Sequence, residues 1–323
     1  MRLILAFVLL VALAAVVSAN TGAEALPAAD IARQFTAFIS RFKKSYAAST
    51  FAAKLKTFTS NIARIAARSK DKLAKFGITK FADLSKTEFK RRLGARRPPA
   101  SAAMVETEYE VSTNAEAELA AFTDAFDWSA RGVFPGVPLD QGDCGSCWAF
   151  TTAAVLDAAR GIKGLKGDYV SPQALVDCAR SDLCGGCDGG HIYCAATFTR
   201  TTGFFALKDK PYRGVERTCS VAGLTPLGKT GALQTISHRR NATAMLNAIR
   251  KAPVFGTIMA ETLQFYESGI LTHSADCDAV RNPSTFVITH SRGMTQHDTL
   301  ILSQAIVVSN GVFFVLSLFA VML

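Results

Sequence analysis

The stretch Gln141 to Phe150 reads Gln-Gly-Asp-Cys-Gly-Ser-Cys-Trp-Ala-Phe, and its residue types could attack a carbonyl. Cys147 stands where the turn residues Gly142, Gly145 and Ser146 give way to a helix-forming apolar run, Trp148-Ala149-Phe150 followed by Ala153, Ala154, Val155 and Leu156. A thiol in the first turn of a helix faces the positive end of the dipole, which favours the thiolate and marks it as a nucleophile. A developing oxyanion also needs a donor. The side-chain amide of Gln141, upstream on the same loop, and the backbone N–H of Cys147 supply one each. Cys144 and Cys147 form a C-x-x-C pair, so a redox couple or half a zinc site is the competing chemistry. Neither use explains Gln141 or Trp148.

These groups must be positioned by the rest of a chain of 323 residues, 49% hydrophobic, with a formal charge of +10. That is enough chain for a full domain with appendages. The basic residues gather early (Arg41, Lys43, Lys44, Lys70, Lys72, Lys75, Lys90 to Arg97), which suits docking on an acidic partner or on the chain's own body. No arginine-rich or aromatic-interleaved motif points to nucleic acid. Residues 1–19 carry Arg2, an apolar run and Ser18-Ala19, the pattern of a secretory signal peptide, with a retained membrane anchor as the alternative. The eight cysteines then meet an oxidising compartment. Ile31, Phe35, Phe38 and Phe42, and then Phe51, Leu55, Phe58, Ile62 and Ile65, each make one apolar helical face. Residues 91–118 are rich in Arg, Pro, Ala and Glu and read as an exposed linker. Ser171 and Pro172 are the N-cap and first residue of a later helix. Asn241-Ala242-Thr243 fits an N-glycosylation acceptor.

Cys-Gly-Ser-Cys-Trp is the wording found around the nucleophile of papain- and cathepsin-type proteases, and the segment resembles that of papain-like cysteine peptidases. Other stretches extend the likeness. Phe58, Asn61 and Ile65, with Lys54 for Arg, resemble the helical pattern of the family's inhibitory propeptide, from which Thr50 and Ser69 depart. Gly77, Phe81 and Asp83 resemble its Gly-x-Asn-x-Phe-x-Asp strand, with Thr79 in place of Asn. Phe126-Asp127-Trp128 resembles the start of the mature enzyme, and Asp177-Cys178 the end of its Ser-Glu-Gln helix. Cys187-Asp188-Gly189-Gly190 resembles a Cys-Asn-Gly-Gly strip, whose glycines let a substrate backbone pair with the enzyme; a tight turn is their plainer use. Pro253-Val254 and Phe265 to Ile270 resemble the opening of a second, β-rich half.

The resemblance implies an α+β, papain-like two-lobed fold, with a helical lobe, a β-rich lobe and a preceding helical propeptide. It divides the chain into a signal peptide (1–19), an inhibitory propeptide (20–93), a linker cleaved on activation (94–124), a peptidase domain (125–299) and an apolar C-terminal tail (300–323). It implies a zymogen of a cysteine endopeptidase, secreted or lysosomal and monomeric, acting on proteins or peptides, inhibited by its own propeptide and needing no cofactor. Cys147 and Gln141 would be catalytic, and Gly189 and Gly190 would contact substrate. It pairs Cys144 with Cys187 and Cys178 with Cys219, and leaves Cys147 free. Cys184 and Cys194 fall outside its usual set and could bridge each other, or join His191 and Cys187 on zinc; Cys277 has no later cysteine to meet.

Such chemistry needs an imidazole to exchange a proton with the thiol and the leaving amine. The family places it about 130–150 residues past the nucleophile, directly after an Asn. Here Asn282 is followed by Pro283. His290 closes the apolar run Phe286-Val287-Ile288, whereas Gln296-His297-Asp298 looks like the head of a strand, with Asn310 as an orienting amide. Without a base the chain would be an impaired papain-like protein, a binding module or defective product. Residues 300–323 are long and apolar enough for membrane contact, or are an aberrant end.

Overall fold

The computed structural model describes residues 28–68, 74–95, 126–128, 131–133, 140–165, 167–231 and 248–269, together with the backbone of strands between 283 and 317. They fall into two compact units: residues 1–89 with Gln264–Glu267, and residues 90–263 with 268–323. The expected signal peptide, the glycosylation acceptor, Cys277, His297 and Asn310 lie outside the described residues, as does the linker beyond Ala95.

In the first unit, the two apolar periodicities become helices α1 (Ala28–Arg41) and α2 (Ala48–Arg68). Phe35, Phe38 and Phe58 are buried, and each of the first two rings sits 5.1 Å from that of Phe58. A short strand, β1 (Ala74–Phe76), leads to a turn that the polar members of the motif hold in place. Asn61 Nδ2 donates to the carbonyls of Ala82 (2.9 Å) and Leu84 (2.8 Å), and Asp83 accepts from Lys44 (3.1 Å) and Tyr46 (2.8 Å). Buried carbonyls need donors, which is why a helix position facing this turn carries an amide, and Gln264 Nε2 adds a second bond to the Leu84 carbonyl (2.8 Å). Thr79, at the position of the family's Asn, donates to the Gln264 carbonyl at 2.5 Å.

Helix α3 (Lys86–Arg91) starts with a capping box. Ser85 N–H donates to Glu88 Oε2 (2.8 Å) and Glu88 N–H to Ser85 Oγ (3.2 Å). Partial burial works against the Glu88 charge, but Lys54 at 2.6 Å and the Ser85 bonds outweigh it and hold the carboxyl below its usual value.

The second unit is built around α4 (Cys147–Ile162), whose first seven residues are all buried. Helices α5 (Pro172–Cys178) and α6 (Ile192–Thr201) pack against it, and Trp148, Ala149, Leu175, Val176 and Ala195 form the core between them. Ser171 caps α5 by accepting from Ala174 N–H at 3.1 Å, with Pro172 at the first helical position, as the sequence predicts. Among the described residues the disulfides are Cys144–Cys187, Cys178–Cys219 and Cys184–Cys194, and Cys147 is the free thiol. The third bridge removes Cys184 and Cys194 from any zinc site, and His191 instead caps α6, its Nδ1 accepting from Tyr193 N–H at 3.3 Å.

The β-rich part carries β2 (Phe126–Asp127), β3 (Val254–Met259), β5 (Pro283–Ile288), β6 (His290–Thr295), β7 (Thr299–Ile301), β8 (Ser303–Ile306) and β9 (Val315–Ser317), whereas β4 (Tyr266–Gly269) pairs with β1. Strands β3-β5-β8-β9 form one antiparallel sheet, in which Val254 faces Ile288 and Met259 faces Pro283. A second sheet runs β2-β6-β7, with Asp127 opposite His290. One of these findings departs from the sequence reading. His290 opens a strand instead of closing one: β5 ends at Ile288, and His290 pairs with Asp127 at the start of β6. The described parts of residues 300–323 are strands, and no helix among the described residues is long and apolar enough to cross a membrane.

Candidate active site

Cys147 is the first residue of α4 and is fully buried. Its loop is tied down on every side. Gly142 N–H donates to the Asp140 carboxylate (2.8 Å), Ser146 N–H to the Cys144 carbonyl (2.8 Å), and Gly145 N–H to the Cys187 carbonyl (2.8 Å) beside the Cys144–Cys187 bridge. Gly142 sits at φ +61°, a backbone conformation that glycine adopts without strain. Trp148 is buried with its indole N–H on the Gly186 carbonyl (3.2 Å), so the residue after the nucleophile anchors the helix start to the Cys187 strip.

Gln141 is fully buried, and its Nε2 donates to the Cys144 carbonyl at 2.9 Å and to the Arg92 carbonyl at 3.1 Å. The amide expected to hold an oxyanion thus already holds a peptide carbonyl, supplied by residues 90–95 of the same unit. Gly94 completes that arrangement. Its carbonyl accepts from Gly190 N–H at 2.7 Å, and Ala95 pairs with Gly190 as a parallel bridge. Lys90 reaches Glu261 at 3.0 Å, and Arg92 pairs with Asp143.

The glycine strip divides its work. Gly189, at φ +101°, makes the turn out of the short helix Gly186–Asp188, and a Cβ there would stand 2.8 Å from the Gly94 carbonyl. Gly190 offers its N–H, and a Cβ on it would stand 2.6 Å from the Trp148 ring. A Cβ on Gly94 would collide with the Gly145 carbonyl. Extended backbone therefore passes between the nucleophile loop and the strip only where side chains are absent.

Of the residues that sequence singled out, Gln141 and Gly190 bond one backbone segment, Gly189 sets the turn, and Cys147 heads α4 on the Gln141 loop. Pro283 begins β5, a strand that lies against α4, and its side chain has no ionisable group. His290 begins β6. His191 is buried, which pushes its imidazole below its ordinary value. Sequence reasoning passed over Tyr212, whose hydroxyl donates to the Gln141 carbonyl at 2.7 Å and lies 2.6 Å from Ser146 Oγ. Its only signal is an aromatic residue after Pro211, with no spacing that ties it to Cys147.

A helical unit with the propeptide pattern, and a free cysteine with a buried amide on its loop at the head of a buried helix, are the parts that the resemblance to papain-like cysteine peptidases implies. Residues 122–292 match the papain family cysteine protease model, and residues 35–89 match the cathepsin propeptide inhibitor domain (I29). The chain belongs to the papain family of cysteine proteases. It is 30% identical over 246 residues to cysteine proteinase 1 of Zea mays and 31% identical over 250 residues to cysteine proteinase 15A of Pisum sativum. In each case the match covers 73% of this chain and 66% of the relative. The fold is that of digestive procathepsin L2 from Tenebrio molitor larval midgut (TM-score 0.73, 20% identity, covering 90% of this chain and 95% of that one). The recombinant stem bromelain precursor is also similar (TM-score 0.67, 20% identity, covering 85% and 87%).

Proposed function

We propose that the chain is the zymogen of a cysteine endopeptidase. The observation that carries this is the Arg92 carbonyl on Gln141 Nε2, with the Gly94 carbonyl on Gly190 N–H: a peptide backbone occupying the oxyanion donor and the glycine strip together. Residues 20–93 act as the inhibitory propeptide and 125–299 as the peptidase domain, with activation by cleavage within 94–124. Substrates are proteins or peptides.

In the reaction, Cys147 Sγ attacks the scissile carbonyl carbon, forming a C–S bond while the carbonyl oxygen takes the electron pair. Gln141 Nε2 and the backbone N–H of Cys147 hold that oxyanion. The C–N bond then breaks, the amine leaves with the proton first taken from the thiol, and water hydrolyses the thioester. Pro283 cannot carry that proton; for the imidazole that would, we favour His297 over His290, and without either the chain would be an impaired papain-like protein. The protein works in the secretory pathway, lysosomal or extracellular, as a monomer, with residues 300–323 available for membrane contact.

The test is to express the full chain, acidify it, and follow both cleavage of a peptide amide and labelling by an epoxide-type thiol inhibitor. Turnover with label on Cys147 is expected. Absence of labelling at Cys147 overturns the reading. Sedimentation with and without lipid vesicles reports on mass and membrane contact in the same preparation.

A further inference from the structure

Ser146 occupies the N-cap position of α4 yet makes no side-chain cap bond, with φ −100° and ψ 15°. A serine there ordinarily turns its oxygen onto the amides of the first turn. Here the hydroxyl is engaged elsewhere, 2.6 Å from the Tyr212 hydroxyl. Proton accounting fixes the direction of that bond. Tyr212 has one O–H, and the Gln141 carbonyl, 2.7 Å away, can only accept. The phenol proton therefore goes to Gln141, and Ser146 must donate to the phenol oxygen. One hydroxyl thus joins the main chain of the oxyanion donor to the residue immediately before the nucleophile.

The tyrosine is itself held in a fixed place. Its ring stands edge-on to Phe150, centroids 4.5 Å apart, one turn along the helix from Cys147. The backbone on either side is clamped to α5. Ser171 Oγ donates to the Lys210 carbonyl (2.5 Å), Arg213 N–H donates to Gln173 Oε1 (2.8 Å), and Arg217 N–H donates to Asp177 Oδ1 (2.9 Å). The Cys178–Cys219 bridge closes the far end. A hydroxyl placed this firmly acts as a strut between α5 and the nucleophile loop. Burial pushes the phenol up to about 12, with Asp140 and Cys147 adding to it against the Ser146 bond, so the donor stays protonated at acidic and neutral pH.

We propose that Tyr212 is a positioning residue for the oxyanion hole: its hydroxyl fixes the Gln141 main chain against Ser146, so that Gln141 Nε2 meets the tetrahedral intermediate without rearrangement. The proposal rests on the peptidase reading and deepens it. Tyr212 touches no reacting atom. Its effect passes through Gln141, and it should therefore appear only in steps that build charge on the carbonyl oxygen.

The test is Tyr212→Phe in the full-length, acid-treated protein, which keeps the ring on Phe150 and removes only the hydroxyl. Three readouts are compared with wild type: kcat and KM on a peptide amide, the affinity of a peptide aldehyde, and the rate of Cys147 alkylation by iodoacetamide. The aldehyde forms a tetrahedral adduct with an oxyanion, whereas alkylation forms none. The expected result is a fall in kcat of about 10-fold and a similar weakening of the aldehyde, with KM and alkylation within about twofold. An unchanged kcat and aldehyde affinity overturns the proposal. So does alkylation falling in step with kcat, which marks a general loss of structure. If Tyr212→Phe fails to fold, Ser146→Ala removes the other hydroxyl and decides by the same split at a smaller size. A wild type that binds aldehyde but turns over no peptide defeats the peptidase reading while the aldehyde-to-alkylation ratio still judges Tyr212; a wild type that is alkylated yet binds no aldehyde overturns both.

Discussion

The helical and β-rich parts of the second unit carry different kinds of information. In the helical part the nucleophile, its amide donor and the loop that holds them lie within one short stretch, and a second stretch, Cys187 to Gly190, is bolted to it by a disulfide. In the β-rich part the position where the resemblance would put an imidazole holds Pro283, at the head of a strand that pairs with β3. A strand needs only alternation and backbone pairing, so its fold survives a substitution that its chemistry does not. Fold and catalysis are thus specified by different residues here. The comparison says where each variant should act.

The largest effect belongs to the helical part. Cys147→Ala should lower peptide cleavage by at least about 10⁴-fold and abolish epoxide labelling while leaving the circular dichroism spectrum intact. Activity surviving in that variant would mean that the chemistry is not held on α4 at all. Next come the two candidate imidazoles. His297→Ala should cost about 10²–10⁴-fold in kcat, the range expected for loss of a general base, and His290→Ala should stay within about threefold. The opposite ranking would move the proton acceptor to β6. If neither substitution matters, Pro283→His becomes the informative variant, since an imidazole restored at the head of β5 should then raise kcat by about 10²-fold.

A smaller effect separates the site from its occupant. Gly94→Val forces a branched side chain against the Gly145 carbonyl, where even a Cβ has no room. Overpacking of this kind costs about 1–3 kcal/mol, so the segment should be held roughly 5- to 150-fold less tightly. Full-length protein should then show labelling of Cys147 at neutral pH, where wild type shows little. Equal labelling of the two would deny that residues 92–94 block the site.

What could be read in advance followed from how local each signal is. Cys147, Gln141 and the glycine pair were legible because a turn, a helix start and a close backbone approach each demand particular residues within a few positions. The disulfide partners were legible only through the family resemblance, since spacing alone leaves many pairings open. Tyr212 was not legible: its bonds to Gln141 and Ser146 span most of the helical part, and a tyrosine has many uses. The Ser85–Glu88 capping box was open to reading as Ser-x-x-Glu ahead of Phe89, yet the propeptide pattern drew attention to other residues. His290 was misplaced because apolar residues on one side of a strand boundary say nothing about where pairing changes sheet. Residues 300–323 read as an apolar tail, and within them β8 and β9 pair in the sheet of β3 and β5.

The smallest effect also lies in the helical part and concerns acid. Asp157, on α4, accepts from Val170 N–H at 2.9 Å. Burial raises its carboxyl from 3.8 to about 7, against the pull of that bond and of Arg160. The sign follows from proton counting. Between those two values the folded chain keeps a proton that the unfolded chain has lost, so the folded state gains stability as pH falls from 7 towards 4, and bears the full cost of the buried charge above 7. Asp157→Asn can still accept from Val170 and never ionises. It should therefore raise Tm by a few degrees at about pH 8, by the conversion usual for a domain of this size, and leave it nearly unchanged at about pH 4. A uniform shift at both values would show that packing, and not charge, sets the cost at this position. The predicted convergence at low pH would instead mean that the cost at this position is the buried Asp157 charge, relieved as the carboxyl takes up its proton.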